Sequence, residues 1–335
     1  MSATDVAVRV YRKLELQDLR ILQAIELQMK RYEYVPEDII SKVANLPPRE
    51  VAYRLPGLHK KRLIRRWKGA YTGYQLNQAG YDTLAINALV KSNTLEAFGK
   101  PLGVGKESDV YDALTPDGTQ VAVKFHRLGR TSFKQTKRKR GYVARYTYSP
   151  DWHRQSQIAA KKEYKALKIL HPKSVAVPKP IKQNRHVLVM SMIEGAELYH
   201  YPEIPNPRAV LEEILVNIRK AYQDAGIIHA DLSPYNIILQ PNQHILIIDW
   251  PQHVTIKHPN AQQLLKRDIQ NVLRYFQRKQ KLKTRLKEAL TYIKEPQLEG
   301  IEGNKKRERK IRSIHSRGTS IQIYKILFPR NKMLP

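Results

Sequence analysis

In His229-Ala-Asp231-Leu-Ser-Pro-Tyr-Asn236 and the hydrophobic run that ends at Asp249, an aspartate is followed after five residues by an asparagine, and after thirteen more by a second aspartate. Few other features of the chain constrain its fold as strongly. Whatever architecture forms has to converge two carboxylates and an amide at the ends of short buried strands. Side-chain oxygens of this kind orient a hydroxyl group and hold magnesium, a hard cation that prefers oxygen donors.

The segment upstream supplies complementary chemistry in a fixed order. Gly103-Val-Gly105-Lys106-Glu107-Ser108-Asp-Val110-Tyr111 reads as strand, tight loop, strand, with Gly103 and Gly105 allowing the backbone to approach phosphate oxygens. Gln120-Val-Ala-Val-Lys124-Phe125 is a β-forming run that sets a lysine among apolar neighbours. A helix is expected over 152–170, carrying Glu163, which can pair with Lys124. Strands are expected over Val175–Pro178 and His186–Met190, with a connector over Ser191–Gly195 and, apart from short strands around Asn236 and Asp249, helix beyond. Taken singly, a Gly-x-Gly pair is commonly a plain hairpin and an acid on a helix is commonly solvated. The conjunction of six elements in one order is not accidental.

That order is the order of a bilobal kinase, with H-x-D-x-x-x-x-N as the catalytic loop and Asp249 as the metal-binding acid that follows it. In this reading Lys124 neutralises phosphate charge and Glu163 holds the lysine. Asp231 orients or deprotonates the attacking hydroxyl, Asn236 and Asp249 bind metal, and His229 supports the loop. Met190 sits where a side chain would lie beside adenine. The chain resembles the RIO kinases, specifically the branch of that atypical protein kinase family with an N-terminal winged helix. The resemblance rests on Gly105-Lys-Glu-Ser108, His126-Arg-Leu-Gly-Arg-Thr-Ser-Phe133, Val177-Pro-Lys-Pro180, Asn184-Arg-His186, Ile248-Asp-Trp-Pro-Gln252, His258-Pro-Asn-Ala261 and Lys266-Arg-Asp268. It implies an ATP- and Mg2+-dependent serine/threonine kinase or ATPase, with Mn2+ as a substitute metal, in late maturation of the small ribosomal subunit. It further implies that Asp249 receives the γ-phosphate, that Lys106, Glu107 and Ser108 lie against the phosphates with Val110 close by, and that Ser191 and Ile193 offer hinge backbone groups to adenine. Two positions depart from the family pattern: Ala230 replaces glycine and Trp250 replaces phenylalanine.

The N-terminal part has a different character. Apolar periodicity from Leu19 to Leu27, Pro36 and Pro47-Pro48 as helix openers, two short strands about Lys68-Gly69-Ala70, and a helix from about Asn77 to Val90 give the layout of a winged helix-turn-helix. Its third helix and wing carry His59, Lys60, Lys61, Arg62, Arg65, Arg66 and Lys68, interleaved with Trp67 and Tyr71. Such cations serve phosphate contacts, although winged helices also dock proteins. Across the chain 60 Lys and Arg face 30 Asp and Glu, a formal charge of +30. An excess of this size points to a polyanionic partner, which the resemblance specifies as small-subunit pre-rRNA and assembly particles.

The expected fold is therefore α+β. A winged helix-turn-helix domain (1–91) precedes a bilobal RIO-like domain (92–285; N-lobe about 92–190, C-lobe about 191–285) and a basic extension (286–335). The basic stretch 127–151 reads as a mobile loop whose Thr131, Ser132 and Ser149 are candidate autophosphorylation positions, and 305–312 forms a second basic run. There is no cysteine, which excludes disulfide, thiolate and zinc-thiolate chemistry. With no apolar run long enough for a bilayer and no secretory apolar core at the N-terminus, a cytoplasmic address is expected. No A-P-E follows Asp249, so the peptide platform of ordinary protein kinases is missing, and ATP hydrolysis or autophosphorylation is the expected outcome. Two other readings share the loop: a small-molecule phosphotransferase of the aminoglycoside or choline kinase kind, and a nucleic-acid-binding regulator that senses nucleotide.

Overall fold

The computed structural model describes residues 2–105, 107–128 and 152–295. Lys106, the loop carrying Thr131, Ser132 and Ser149, the basic run 305–312 and the strand-like 321–327 lie outside the described residues. The chain forms two compact units, Met1–Lys165 with Lys179–Ile193, and Ala166–Pro178 with Glu194–Pro335.

The first unit opens with α1 (Ala3–Tyr11), a helix that the apolar periodicity did not announce. It is set by a capping box in which Ser2 and Asp5 exchange side-chain-to-backbone hydrogen bonds. There follow α2 (Leu16–Gln28), β1 (Val35–Pro36), α3 (Glu37–Ala44), α4 (Pro48–Lys60), β2 (Ile64–Lys68), β3 (Thr72–Leu76) and α5 (Gln78–Lys91). The three strands pair in the order β1-β3-β2, completing a winged helix-turn-helix. Its core includes Ile21, Leu22, Ile25, Val51, Leu55 and Leu58, whereas Leu27, at the end of the expected apolar pattern, is exposed.

The same unit contains a five-stranded antiparallel sheet in the order β4-β5-β6-β8-β7, from β4 (Ala97–Val104), β5 (Ser108–Leu114), β6 (Gln120–His126), β7 (Pro180–Asn184) and β8 (Val187–Ser191). Strand alternation gives this sheet two functions. One face carries Tyr111, Val121, Val123, Phe125, Val187 and Val189, which bury against Ala7, Ala85, Ile86 and Leu89 of the N-terminal helices. The other face is left for polar chemistry. The helix α6 (Trp152–Leu170) matches its expected span.

The second unit holds α7 (Pro207–Gln223), α8 (Ala261–Lys279), α9 (Leu286–Lys294) and five short strands: β9 (Ala196–Glu197), β10 (Ile227–Ile228), β11 (Ile237–Leu239), β12 (Ile245–Ile247) and β13 (Val254–Thr255). Gly195 adopts φ +109, and a Cβ there would collide with the Leu239 carbonyl, so β9 can pair with β11 only behind a glycine. The short strands expected around Asn236 and Asp249 form as β11 and β12, whereas β9, β10 and β13 add strand where helix was expected. The apolar runs there are only two or three residues long and pair as strands instead. Val175–Pro178 is no strand either. Val175 and Val177 are buried, while Ala176 bonds Asn217 Oδ1 through its N–H and Ile247 N–H through its carbonyl, so no ladder forms. The extension begins with a packed helix rather than a tail, since α9 buries Ala289 and Ile293. Among the described residues no helix is long and apolar enough to cross a membrane.

Candidate active site

In the first unit, strand register assembles the upstream residues. Ser108 lies opposite His126 and Val110 opposite Lys124, while Lys124 and Ala122 lie opposite Leu188 and Met190. Directly opposed residues share a face, so Ser108, Val110, Lys124, His126 and Met190 occupy the side of the sheet away from the N-terminal helices. Lys124 Nζ donates to both Glu163 oxygens at 2.9 Å, and both residues are buried. His126 Nε2 is 2.9 Å from Glu163 Oε2. Burial alone would raise the Glu163 carboxyl; the Lys124 ammonium and His126 outweigh it and hold the group below its ordinary range. The lysine is therefore held in place with its charge matched by Glu163.

The tight turn between β4 and β5 is closed by Gly105 N–H on the Ser108 carbonyl at 2.8 Å. Around Gly103 a Cβ would meet nothing within 4 Å, leaving open space on that side of the backbone. Glu107 is exposed at the tip. At the other end of the sheet Ser191 donates its N–H to the Lys179 carbonyl at 2.9 Å. That donor is engaged within the unit. Ile193 follows in the connector, half-buried.

In the second unit the catalytic-loop residues are set by a small hairpin. β11 and β12 pair Ile237 with Ile247, and Ile248 N–H reaches the Asn236 carbonyl at 3.0 Å, so Asn236 and Asp249 emerge side by side. Asn236 Nδ2 donates to the Asp231 carbonyl at 2.8 Å, closing the loop on itself. Asp249 takes φ +66, a left-handed conformation that aspartate tolerates better than most residues. His229 is buried, donates Nε2–H to the Ile248 carbonyl at 2.9 Å and lies against Trp250, with ring centroids 4.6 Å apart. It braces the loop, as its position implied. Trp250 is buried and its indole N–H meets the Ile247 carbonyl at 3.0 Å, so the larger ring in place of phenylalanine is accommodated with its polar atom satisfied.

Ala230 explains why the family pattern has glycine there. Its φ is +65, costing an alanine about 1–2 kcal/mol. Its neighbours hold it in place: Asp268 Oδ2 accepts Ala230 N–H at 2.7 Å, Asp268 Oδ1 accepts Leu232 N–H at 3.0 Å, and Arg267 donates to the Ala230 carbonyl. Asp268 is thus a positioning residue for Asp231. Its sequence motif was visible, but its role was not, because thirty-seven residues separate the two. Burial raises the Asp268 carboxyl to about 7, against the two backbone N–H groups and Arg267, which lower it.

Lys124 and Glu163 belong to the first unit, and Asp231, Asn236 and Asp249 to the second. Three comparisons with known proteins bear on the whole chain. A RIO domain is matched over residues 109–289, and a domain described as "Rio2, N-terminal" over 11–92. The RIO-type serine/threonine-protein kinase Rio2 of Methanocaldococcus jannaschii is 43% identical over 255 residues, covering 75% of this chain and 92% of that protein. The Schizosaccharomyces pombe serine/threonine-protein kinase rio2 is 36% identical over 275 residues, covering 82% and 79%. A crystal structure of the Rio2 kinase from Chaetomium thermophilum, in an ADP/Mg2+-phosphoaspartate complex, superposes with TM-score 0.73 at 32% identity over 84% of this chain and 87% of that one. The chain belongs to the RIO kinase family, in the branch that carries the Rio2 N-terminal domain. It is a serine/threonine-protein kinase of RIO type.

Proposed function

We propose that this kinase uses Mg2+-ATP to drive its own phosphorylation or ATP hydrolysis on small-subunit pre-ribosomal particles, which it reaches through its winged helix. The observation that carries the nucleotide reading is the buried Lys124–Glu163 pair on the sheet face shared with Ser108, Val110 and Met190. A lysine held in this way presents a fixed charge to phosphate oxygens, and the apolar residues beside it suit a base. Gly103, Gly105, Lys106, Glu107 and Ser108 are assigned to the phosphates, and the Ser191 carbonyl and Ile193 to adenine.

Among the described residues no three His, Cys, Asp or Glu side chains cluster as a metal site. Asn236 and Asp249 nonetheless fit a hard divalent cation. The Asn236 nitrogen is engaged with the Asp231 carbonyl, which turns its oxygen the other way, and an oxygen-only donor pair completed by phosphate suits magnesium. Bound there, Mg2+ would neutralise charge on the transferring phosphoryl group; Mn2+ accepts the same donors. Asp231 orients the attacking group. In the phosphoenzyme branch an Asp249 oxygen attacks the γ-phosphorus, the bond to the β,γ-bridging oxygen breaks, and ADP leaves. The Chaetomium relative, captured with ADP, Mg2+ and phosphoaspartate, supports this branch.

The winged helix supports a nucleic-acid contact, and its side chains favour the wing over the helix. Arg54, the cation in the middle of α4, is held by Glu15, Asp18 and Glu50. The solvent side of α4 is left with Arg49, Ala52, Tyr53, Pro56, His59 and Lys60, with Tyr53 79% exposed. By contrast Arg65, Arg66, Trp67 and Lys68 are all exposed along β2. Trp67 stacks on Tyr34 at 5.9 Å and meets Tyr71 edge-on at 5.1 Å, stiffening the wing that carries the charges.

Two measurements test the reading. Incubation with γ-labelled ATP and magnesium should give hydroxylamine-labile acyl phosphate, acid-stable phosphoserine or free phosphate, all lost in Asp249→Ala; wild-type turnover by that variant rejects the metal assignment. Co-sedimentation with precursor small subunits should depend on Mg2+-ATP. Equal binding to mature subunits regardless of nucleotide rejects the maturation role.

A further inference from the structure

Three buried polar residues of the first unit, Thr4, Asp82 and Asp109, converge on Arg127. Its side chain is fully buried. Nε donates to Asp109 Oδ2 at 3.0 Å and Nη1 to Asp82 Oδ1 at 2.9 Å; Nη2 reaches Asp82 Oδ2 at 2.5 Å and Thr4 Oγ1 at 2.6 Å. The Thr4 hydroxyl donates a hydrogen bond to Asp82 Oδ2 at 3.1 Å, and His186 Nε2 meets Asp82 Oδ1 at 2.8 Å. Thr4 and Asp82 lie on α1 and α5, the helices against which the sheet packs.

Buried ion pairs of this kind are weak devices for stability, because apolar residues of similar volume often do as well. The location of this one suggests a different role. Arg127 follows directly on β6, three residues after Lys124. Alternation sends Lys124 and His126 to the polar face, and Phe125 and Arg127 to the face of the N-terminal helices. The backbone N–H of Arg127 donates to the Glu107 carbonyl at 2.7 Å, within the Gly103–Ser108 loop. Asp109, its other carboxylate partner, is the second residue of β5 beyond that loop. One residue therefore fixes the loop through its backbone, the strand after the loop through Asp109, and both relative to the winged helix through Asp82 and Thr4.

We propose that Arg127 is a positioning residue for the ATP chemistry, through which the N-terminal domain holds the phosphate loop in register with Lys124. The proposal rests on the assignment of Lys124 and that loop to the nucleotide. On this account the winged helix is a structural part of the nucleotide half-site as well as a docking module. Arg127 is the charged link from α1 and α5 to the phosphate loop, alongside the Tyr111–Asp5 hydrogen bond that joins α1 to β5.

The test uses the full chain, with thermal denaturation and steady-state Mg2+-ATP turnover measured on the same samples. Thr4→Val removes one acceptor and one donor at almost constant volume, and Asp82→Asn weakens the central anchor. Both should lower kcat/KM about tenfold at temperatures well below their melting points, as misplacement of reacting groups does. Thr4→Ser, which keeps the hydroxyl, should restore turnover to within about twofold. Glu26→Gln is the structural control: it breaks the two-pronged Arg185–Glu26 pair, which also ties α2 to the sheet but touches neither Arg127 nor the loop. It should lower the melting temperature without lowering kcat/KM. If Thr4→Val stays folded and turns over at the wild-type rate, or if Glu26→Gln loses as much turnover, Arg127 is structural only. Lys124→Ala serves as the reference, and wild-type turnover by that variant would overturn the nucleotide assignment, and the proposal with it.

Discussion

Asp268 accepts the backbone N–H of Ala230 at 2.7 Å, one residue before Asp231, and that of Leu232 at 3.0 Å, one residue after it. The catalytic-loop aspartate is thus gripped on both sides by a carboxylate that has no contact with substrate in the proposed chemistry.

Asp268→Asn leaves one oxygen for two N–H groups. It should lower kcat by about ten- to a hundredfold, with a smaller effect on the KM for ATP, because misplacement of Asp231 acts on the chemical step. Steady-state kinetics check this.

The same group sets a pH dependence. With a carboxyl raised from 3.8 to about 7 in the fold, the native state holds a proton that the unfolded chain releases. Between those values the native state binds more protons, so this group's contribution to stability falls as pH rises from about 4 to 7 and is constant above. His153, lowered by burial from 6.5 to about 2, gives the opposite slope below pH 6.5 and is common to both variants. Denaturant titrations at pH 5 and pH 8 should show Asp268→Asn losing the Asp268 slope relative to wild type. An unchanged difference would reject the raised value.

Lys124→Met should destabilise the protein by about 3–5 kcal/mol in addition to abolishing turnover, since it takes the ammonium from the buried Glu163 carboxylate and leaves it to His126. Adding Glu163→Gln should recover most of the stability and none of the activity. Chemical denaturation of the single and double variants reports the coupling.

Ala230→Gly relieves a left-handed alanine at φ +65 and should stabilise by roughly 0.5–1 kcal/mol after the added chain entropy of glycine is counted. Activity should be retained. A loss of stability would show that the loop is not strained there.

Arg65→Glu with Arg66→Glu should weaken RNA binding by more than about tenfold near physiological salt and flatten the salt dependence by roughly two phosphate contacts. Arg49→Glu on α4 should do less. Binding isotherms across salt concentrations distinguish the wing from the helix.

How much of this could be read from the residues differs by element. The Lys124 strand, the helix bearing Glu163 and the Asp231/Asn236 loop were legible because each is local: a β-forming run, a long helical period, and a motif with fixed spacing. The helix α1 escaped notice because Val6, Val8 and Val10 alternate as in a strand and its cap is the stronger helical signal. Val175–Pro178 was misread because an apolar run does not say whether its backbone partners are a strand or, as here, an asparagine and a loop. Asp268 and Arg127 stood in recognisable motifs, yet nothing local says what a buried charge will face.

The sequence by itself determined the order of the parts, the chemistry of each reactive side chain and the family, because these depend on residue type and spacing. Tertiary structure alone decided which face of the sheet Lys124 occupies, that Ala230 must be left-handed, and that Thr4 and Asp82 meet Arg127 across more than forty residues of chain. Those outcomes follow from strand alternation and from the requirement that buried charges find partners, and both are settled only when distant segments pack.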